Sequence, residues 1–533
     1  KMSGENLACD AYVAWHKKSV AVSSDDLFQE FVDTFGSVAG QTLQALQNRH
    51  KQMSFSSYPT EPFTTVWEDS WSAEKANTRD QQGTALVAKL GEEIKKKNTK
   101  FTDPFFPPNS SSIFVDPGRK YQDFLEGHYA GNIVWKRPDE IFPDRTFKVF
   151  SGSISPEDVK QGLLGNCWYV AAVASIATSK DDVLVNDVVI EEYAEQGLYG
   201  VKFFVMGRWV SVVVDDLLPV AQTPVSSALF PIYRRGTLLF CRPGENSENK
   251  DGALDLWPLL LEKAMAKLFG SYECLDSGSC DDGLHYLTAG VVSKVLLRQP
   301  ASPEDVDTEA WKALRQALDL DKSDGFVSCG VRVYHPHSRP EGFTHDELDE
   351  VGLVDGHAYS LTEAREVADA KGGTLRLVKI RNPHGWGEWS GRFSDRSKDW
   401  TDELRAKLNQ VQAEDGVFFM EFGDFCRYFE YCRVVETRQL NSLSAGKDKL
   451  IHMSGAAANW VQGKTAGGCK GCATFGHNPV FEMTSSGGPA VLTLYQPDVR
   501  HTAAYPAERN LGEPFMEVVL YLADKGQDPV EAL

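Results

Sequence analysis

Residues 161–170 read QGLLGNCWYV and place Cys167 between an asparagine and a tryptophan, at the start of an apolar run. The run continues as WYVAAVASIA, whose small and apolar residues predict a buried, closely packed helix. A thiol at the start of a helix is a candidate nucleophile, because the helix terminus favours the thiolate form. The alternative is a structural cysteine, since cysteine is a small residue that is often buried. A catalytic role for Cys167 therefore requires partners elsewhere in the chain.

The composition predicts a globular protein of several domains, because 533 residues exceed the size of one ordinary domain. The 55 basic and 75 acidic residues give a net charge of −20, which argues against a nucleic-acid-binding surface and leaves carboxylates available for cations. The ten cysteines lack the dense spacing of a small secreted domain and predict reduced thiols in the cytoplasm. No apolar run approaches the roughly 20 residues of a membrane span, so we expect no transmembrane segment.

Two downstream motifs supply the partners that a cysteine nucleophile needs. His357 in GHAYS is predicted to exchange a proton with the thiol, and Asn382 in IRNPHGWGEWSG is predicted to orient the imidazole. Gln161, which precedes the cysteine, is predicted to form an oxyanion hole together with the backbone N–H of Cys167. A lone histidine on a strand or a lone Asn-Pro is more often structural. The order Cys, His, Asn with a glutamine ahead of the cysteine nevertheless favours catalysis.

Hydrophobic periodicity divides the chain into helical and β-rich stretches and predicts an α+β fold. Amphipathic or buried helices are predicted for SSDDLFQEFVDTF (23–35), TALVAKLGEEIKKK (84–97) and LWPLLLEKAMAKLFG (256–270). The stretch VKFFVMGRWVSVVVDDLLPV (201–220) predicts two strands joined at MG. Residues 271–435 are rich in predicted strands. Residues 436–533 alternate short β runs with Gly, Pro and Asn turns, which favours a small β-sandwich.

These motifs together resemble those of the calpains, a family of papain-like cysteine proteases. QGLLGNCWYVAAVASIA is similar to the calpain cysteine motif, GLVDGHAYSLT to its histidine motif and LVKIRNPHGWGEWSGRFSD to its asparagine motif. The resemblance implies a two-subdomain papain-like protease core, with the cysteine in 81–270 and the histidine and asparagine in 271–435. It also implies an antiparallel β-sandwich over 436–533. The resemblance does not extend to residues 1–80, which are predicted to form a helical N-terminal extension of unknown role.

The resemblance further implies calcium, with one or two ions in the protease core. In calpains the two subdomains stay misaligned until each binds a calcium ion. Carried over by position, the predicted ligands are Asp158, Asp255 and the carbonyls of Ser151 and Ser153 at the first site, and Glu388, Asp395, Asp415 and the carbonyl of Ala413 at the second. Oxygen-only ligands of this kind suit a hard cation. A solvated acidic surface is the alternative interpretation of these carboxylates.

The sequence departs from the calpain pattern at several positions. Asp255 replaces a usual glutamate, and Val417 replaces a glutamate of the second calcium site, which is expected to weaken that site. His384 replaces the tryptophan that usually follows the Asn-Pro pair. Trp386 is the nearest substitute, and together with Trp389 it is predicted to shield the hydrogen bond between asparagine and histidine.

The function implied is that of a calcium-regulated cytoplasmic cysteine endopeptidase that performs limited proteolysis on proteins with flexible segments. The β-sandwich is a candidate for peripheral contact with membranes or proteins, and no nucleic-acid partner is expected. Two alternatives stay open. One is a catalytically silent, calpain-like scaffold, and the other is a protease that is active without full calcium occupancy.

Overall fold

The structure is a computed structural model. It describes residues 63–68, 81–115, 133–179, 185, 188–205, 208–222, 238–244, 253–301, 307–318, 325–333, 342–368, 373–436 and 450–455, and single positions between 464 and 478. Within this part, residues from 81 to 436 belong to one compact unit, and those at 63–68 and from 450 onward belong to a second.

Helices in the described part all lie in the first unit. They are α1 (Gln81–Lys97), α2 (Pro138–Ile141), α3 (Cys167–Ile176), α4 (Trp257–Phe269), α5 (Cys280–Thr288), α6 (Thr308–Ala317), α7 (His345–Glu350), α8 (Asp402–Leu408) and α9 (Phe422–Tyr428). The long helices α1, α3 and α4 coincide with the helical patterns of the sequence. Helix α4 ends at Gly270, whose φ of 106° is the backbone conformation that favours glycine.

Strands occur in both units. They are β1 (Phe63–Glu68), β2 (Ile133–Lys136), β3 (Phe147–Lys148), β4 (Val159–Lys160), β5 (Val189–Tyr193), β6 (Leu198–Val205), β7 (Arg208–Asp215), β8 (Leu218–Ala221), β9 (Arg242–Pro243), β10 (Leu254–Asp255), β11 (Val292–Leu296), β12 (Gly325–Val331), β13 (Ala358–Ala368), β14 (Thr374–Arg381), β15 (Val417–Glu421), β16 (Phe429–Glu436) and β17 (Leu450–Gly455). The mixture of helices and antiparallel sheets agrees with the predicted α+β class.

A six-stranded antiparallel sheet, in the order β11-β16-β12-β13-β14-β15, is the largest sheet described. Its inner face packs into one apolar cluster that includes Tyr359, Phe418 and Met420. Strand β13 starts directly after His357, and β14 ends directly before Asn382. Because the two strands are antiparallel and Ser360 pairs with Arg381, the sheet brings the ends that carry His357 and Asn382 together.

Helix α3 packs against this sheet. All of its residues after Cys167 are buried, and two serines tie it to the strands. The hydroxyl of Ser175 donates to the carbonyl of Val327 at 3.1 Å, and the hydroxyl of Ser360 donates to the carbonyl of Ala171 at 2.8 Å. The apolar face of the helix and these two bonds fix the start of α3, and so Cys167, beside β13.

A second layer of the first unit is built on the three-stranded antiparallel sheet β5-β6-β7. Helix α1 buries Val87, Leu90 and Ile94 against it. Helix α4 is joined to the end of β7 by an ion pair between Lys263 and Asp215, and neither side chain is exposed to solvent. Strands β6 and β7 pair along their whole length across residues 206–207, as the pattern around MG predicts.

The second unit is described at few positions. Strand β1 pairs with β17 in antiparallel register, from Phe63 opposite Gly455 to Glu68 opposite Leu450. The structure therefore has a strand at 63–68, where the sequence predicts part of a helical extension. The predicted helix at 23–35 and most of the predicted β-sandwich lie outside the described residues, and the four predicted domain bounds stay predictions. No helix in the described ranges is long and apolar enough to cross a membrane.

Candidate active site

Cys167 is the first residue of α3 and is half-buried. Its sulfur lies within reach of the backbone N–H groups of Cys167 itself, Trp168 and Ala358. Ala358 directly follows His357, so the structure brings the thiol to the start of β13. The loop before the helix is tightly packed, because a Cβ atom on Gly162 would lie 2.0 Å from the carbonyl oxygen of Phe240.

Burial raises the pKa of the Cys167 thiol above its usual value, and the charge of Asp276 adds to the rise. The three backbone N–H groups act in the opposite direction but do not overcome burial. The sequence predicts a lowered pKa for a thiol at a helix start. The structure differs because the folded chain buries the thiol and brings the charge of Asp276 near it, and neither effect can be read from the local sequence.

His357 is hydrogen-bonded to Asn382, as the two motifs predict. The ring Nε2 lies 2.8 Å from the side-chain oxygen Oδ1 of Asn382, and both residues are buried. An amide oxygen only accepts, so Nε2 carries the proton and Nδ1 is the nitrogen that accepts. Burial lowers the pKa of His357 to about 4, although the bond to Asn382 opposes this shift. Burial thus favours the neutral forms of both the Cys167 thiol and the His357 imidazole.

The ring that covers His357 belongs to His384. The two imidazole rings stack with centroids 4.2 Å apart and planes inclined by 23°, and Trp386 stacks on the far face of His384 at 5.5 Å. Trp389 does not take part. Its ring packs against Tyr428 in the core below the six-stranded sheet, so the predicted shielding role is wrong for this tryptophan. Sequence reasoning missed the contact of His384, because the motif gives no sign of where its ring points.

Gln161 is buried in the loop that precedes the cysteine. Its side-chain Nε2 donates to the carbonyl of Leu164 at 2.8 Å, and its Oε1 is buried with no hydrogen-bond partner in the described part of the chain. Its backbone N–H donates to the carbonyl of Pro383 at 2.8 Å. The buried guanidinium of Arg381 donates a second hydrogen bond to this loop, at the carbonyl of Val159. These two bonds tie the glutamine loop to the residues on either side of Asn382.

The predicted ligands of the first calcium site are partly brought together. Asp255 accepts hydrogen bonds from the backbone N–H and the hydroxyl of Ser151, both at 2.7 Å. Asp158 is buried and accepts the N–H of Ser155 at 2.8 Å. All the predicted ligands of this site offer oxygen atoms, which are the ligands that a hard cation requires. In this conformation both carboxylates are occupied by N–H or O–H donors.

The three carboxylates of the second predicted site lie close enough to repel one another. Burial first, and then the charges of Asp395 and Asp415, raise the pKa of Glu388 to about 7. Glu388 accepts the backbone N–H of Asp415 at 3.0 Å, and Asp395 accepts that of Ala413 at 3.0 Å. A cluster of mutually repelling, half-buried carboxylates fits a divalent cation. Within the described ranges, however, no three acidic, His or Cys side chains converge closely enough to hold a metal ion as they stand.

Comparison with known proteins identifies the family to which these motifs belong. Residues 101–436 match the family described as calpain family cysteine protease. The catalytic subunit of calpain-2 from Rattus norvegicus is 34% identical over 402 residues, which are 74% of this chain and 50% of that protein. The calpain-type cysteine protease DEK1 from Arabidopsis thaliana is 34% identical over 411 residues, which are 74% of this chain and 16% of that protein.

The chain belongs to the calpain family of cysteine proteases. It is a cysteine peptidase by family, and the matched region contains the cysteine, histidine and asparagine motifs. The chain spans about half the length of the rat relative and about one sixth of the Arabidopsis relative that it matches.

Proposed function

We propose that the protein is a calcium-regulated cysteine endopeptidase that cleaves flexible segments of other proteins. The observation that carries the proposal is the hydrogen bond between buried His357 and Asn382, together with a helix-start thiol that lies within reach of the backbone N–H of Ala358, the residue after His357. In the proposed reaction the thiol gives its proton to Nδ1 of His357, and the thiolate attacks the peptide carbonyl. Asn382 holds the ring so that Nδ1 faces the sulfur.

The proposed oxyanion hole consists of the backbone N–H of Cys167 and the side-chain amide of Gln161. An amide NH₂ group has two hydrogens, and only one of them is used in the bond to Leu164. Donors that face the tetrahedral oxygen typically stabilise the transition state by about 3 kcal/mol.

The neutral state of the thiol and the imidazole supports the proposal that the protease activity is regulated. A thiol with a raised pKa beside an imidazole with a lowered pKa is a weak nucleophile. Activation therefore has to change the surroundings of these two residues. We propose that the core has two papain-like subdomains, one with Cys167 and one with His357 and Asn382, and that their alignment is the regulated step.

Calcium is the proposed regulator. Asp158 and Asp255 with the carbonyls of Ser151 and Ser153 would hold one ion, and Glu388, Asp395 and Asp415 with the carbonyl of Ala413 would hold another. A bound divalent cation would neutralise the repulsion among the carboxylates. The side chain of Val417 supplies no oxygen to the second calcium site. We therefore expect calcium to fill the first site before the second. A cytoplasmic location, a β-sandwich over 436–533 and its contact with membranes or proteins remain part of the proposal.

The test is hydrolysis of casein with calcium and with a chelator. We expect cleavage with calcium, little cleavage with the chelator, and none by Cys167→Ala under either condition. Cys472→Ala, which removes an exposed thiol outside the first unit, is the matched control and should cleave normally. Cleavage by Cys167→Ala would refute the assignment of the nucleophile. Inactive wild-type protein that still binds calcium would favour the calpain-like scaffold.

A further inference from the structure

His384 lies in the middle of a stack of three aromatic rings. It is 7% exposed, with His357 on one face at 4.2 Å and Trp386 on the other at 5.5 Å. The ring of His357 also meets the edge of Tyr359 at 4.9 Å. His357 thus contacts both a second imidazole, which is stacked on it, and a phenol ring, which lies nearly perpendicular to it.

The backbone of His384 contacts the hydrogen-bonded pair of His357 and Asn382. Its N–H donates to Oδ1 of Asn382 at 3.1 Å, and this oxygen also faces Nε2 of His357 at 2.8 Å. A tight turn makes both contacts possible, because the N–H of Gly385 donates to the carbonyl of Asn382 at 3.0 Å and Gly385 has a φ of 75°. One residue therefore fixes the amide of Asn382 through its backbone and the ring of His357 through its side chain.

We propose that His384 is a positioning residue for the cysteine protease reaction: its stacked ring fixes the plane of His357 and limits its protonation, so that the side chain at position 384 sets the pH range in which His357 carries a proton. The inference rests on the proposed function, in which a protonated His357 faces the thiolate of Cys167.

The charges around the stack explain why a histidine at this position matters. Two positive charges on rings 4.2 Å apart repel strongly in a site that excludes water. Arg242 adds a further positive charge near His384, and the side chain of Lys160 runs past Gly385. Burial, with the charges of His357 and Arg242, lowers the pKa of His384 well below its usual value. His384 therefore stays neutral when His357 takes up the proton from Cys167.

A neutral imidazole is a weaker partner for a cation than an indole ring is. With tryptophan at position 384 the protonated form of His357 would be stabilised more, and it would persist to higher pH. The histidine found in this chain thus narrows the pH range of activity on the alkaline side.

The experiment compares His384→Trp, His384→Phe and His384→Gln with the wild-type protein. We would measure the rate of Cys167 alkylation by iodoacetamide from pH 5 to 10, and kcat and KM for a fluorogenic peptide in the presence of calcium. His384→Trp should shift the alkaline limit of the kcat profile, and the upper inflection of the alkylation profile, upward by about 0.5 to 1 pH unit. His384→Gln removes the ring and should lower kcat about tenfold with little change in KM. His384→Phe keeps a ring and should retain most of kcat.

The matched control is His345→Gln, which removes an exposed histidine from α7 and should leave both profiles unchanged. Circular dichroism spectra verify that each variant is folded, and His384→Phe keeps the test valid if the glutamine variant does not fold. Superimposable pH profiles for the wild-type, Trp and Gln proteins would overturn the inference. Shifted alkylation profiles in a protein that cleaves no peptide would support the role of His384 and refute the proposed function.

Discussion

Replacing His357 by glutamine in a chain that also carries Cys167→Ala isolates the protonation of one buried imidazole. The Cys167→Ala change removes the thiolate that would otherwise hold a proton on the ring. Burial lowers the pKa of His357 from 6.5 in a free side chain to about 4 in the folded protein. Below pH 6.5 the unfolded chain therefore binds a proton that the folded chain does not, so the stability contributed by neutral His357 falls as the pH falls toward 4.

The magnitude follows from the size of the shift. One pKa unit corresponds to about 1.4 kcal/mol, so the free energy of unfolding of Cys167→Ala should fall relative to the double variant by about 2 kcal/mol between pH 8 and pH 5. The fall should reach about 3 kcal/mol at pH 4. The assay is urea denaturation, followed by circular dichroism, of both proteins at each pH. Taking the difference between them cancels Glu262 and Glu388, whose pKa values are raised to about 7 by burial and which change stability in the opposite direction.

A difference that stays constant from pH 8 to pH 4 would refute the reasoning, because it would mean that His357 is not held neutral by burial. The Cys167→Ala background is essential to this test. Transfer of the thiol proton to the ring leaves the total number of bound protons unchanged, so a neutral pair and a thiolate–imidazolium pair would give the same pH dependence of stability if Cys167 were present.

Three further predictions concern the surroundings of the site. Asn382→Ala should lower kcat about 10- to 100-fold with KM unchanged, because it removes one hydrogen bond to a charged imidazole; peptide hydrolysis measures this, and an unchanged kcat would contradict the role. Lys263→Met leaves a fully buried carboxylate without its cation and should lower the free energy of unfolding by about 3–5 kcal/mol. Lys312→Met at an exposed pair should have little effect in the same urea denaturation, and equal effects would contradict the reasoning. Gly416→Ala places a Cβ 2.9 Å from the backbone of the asparagine turn and should reduce activity, whereas Gly356→Ala, also at positive φ but with nothing within 4 Å, should reduce it less.

The parts of the site that the sequence predicts are those set by local patterns. Cys167 begins a helix because an apolar, small-residue run follows it, and His357 and Asn382 flank two strands with strong β patterns. Antiparallel pairing of these neighbouring strands then joins the two residues. Predicting these positions requires only the order of the helices and strands along the chain.

The parts that the sequence does not predict depend on distant contacts. A thiol at a helix start is expected to have a lowered pKa, but burial, together with the charge of Asp276 more than 100 positions away in the chain, outweighs the helix terminus. Trp389 was a candidate shield for the site by its proximity in sequence. Its ring is instead drawn into the core by Tyr428, which α9 supplies. The stacking of His384 likewise depends on a turn whose geometry no residue pattern specifies.

The pairing of β1 with β17 affects the order in which the protein folds during synthesis. Strand β1 leaves the ribosome about 380 residues before its partner, a delay of roughly 20 to 80 s at ordinary rates of translation. Throughout this time β1 presents an unpaired edge, which is the feature of a strand that favours aggregation. The intervening unit is meanwhile complete and able to fold. Pairing of β1 thus has to wait for the synthesis of β17, and a nascent chain that stalls after residue 436 would carry the intervening unit and an unpartnered strand.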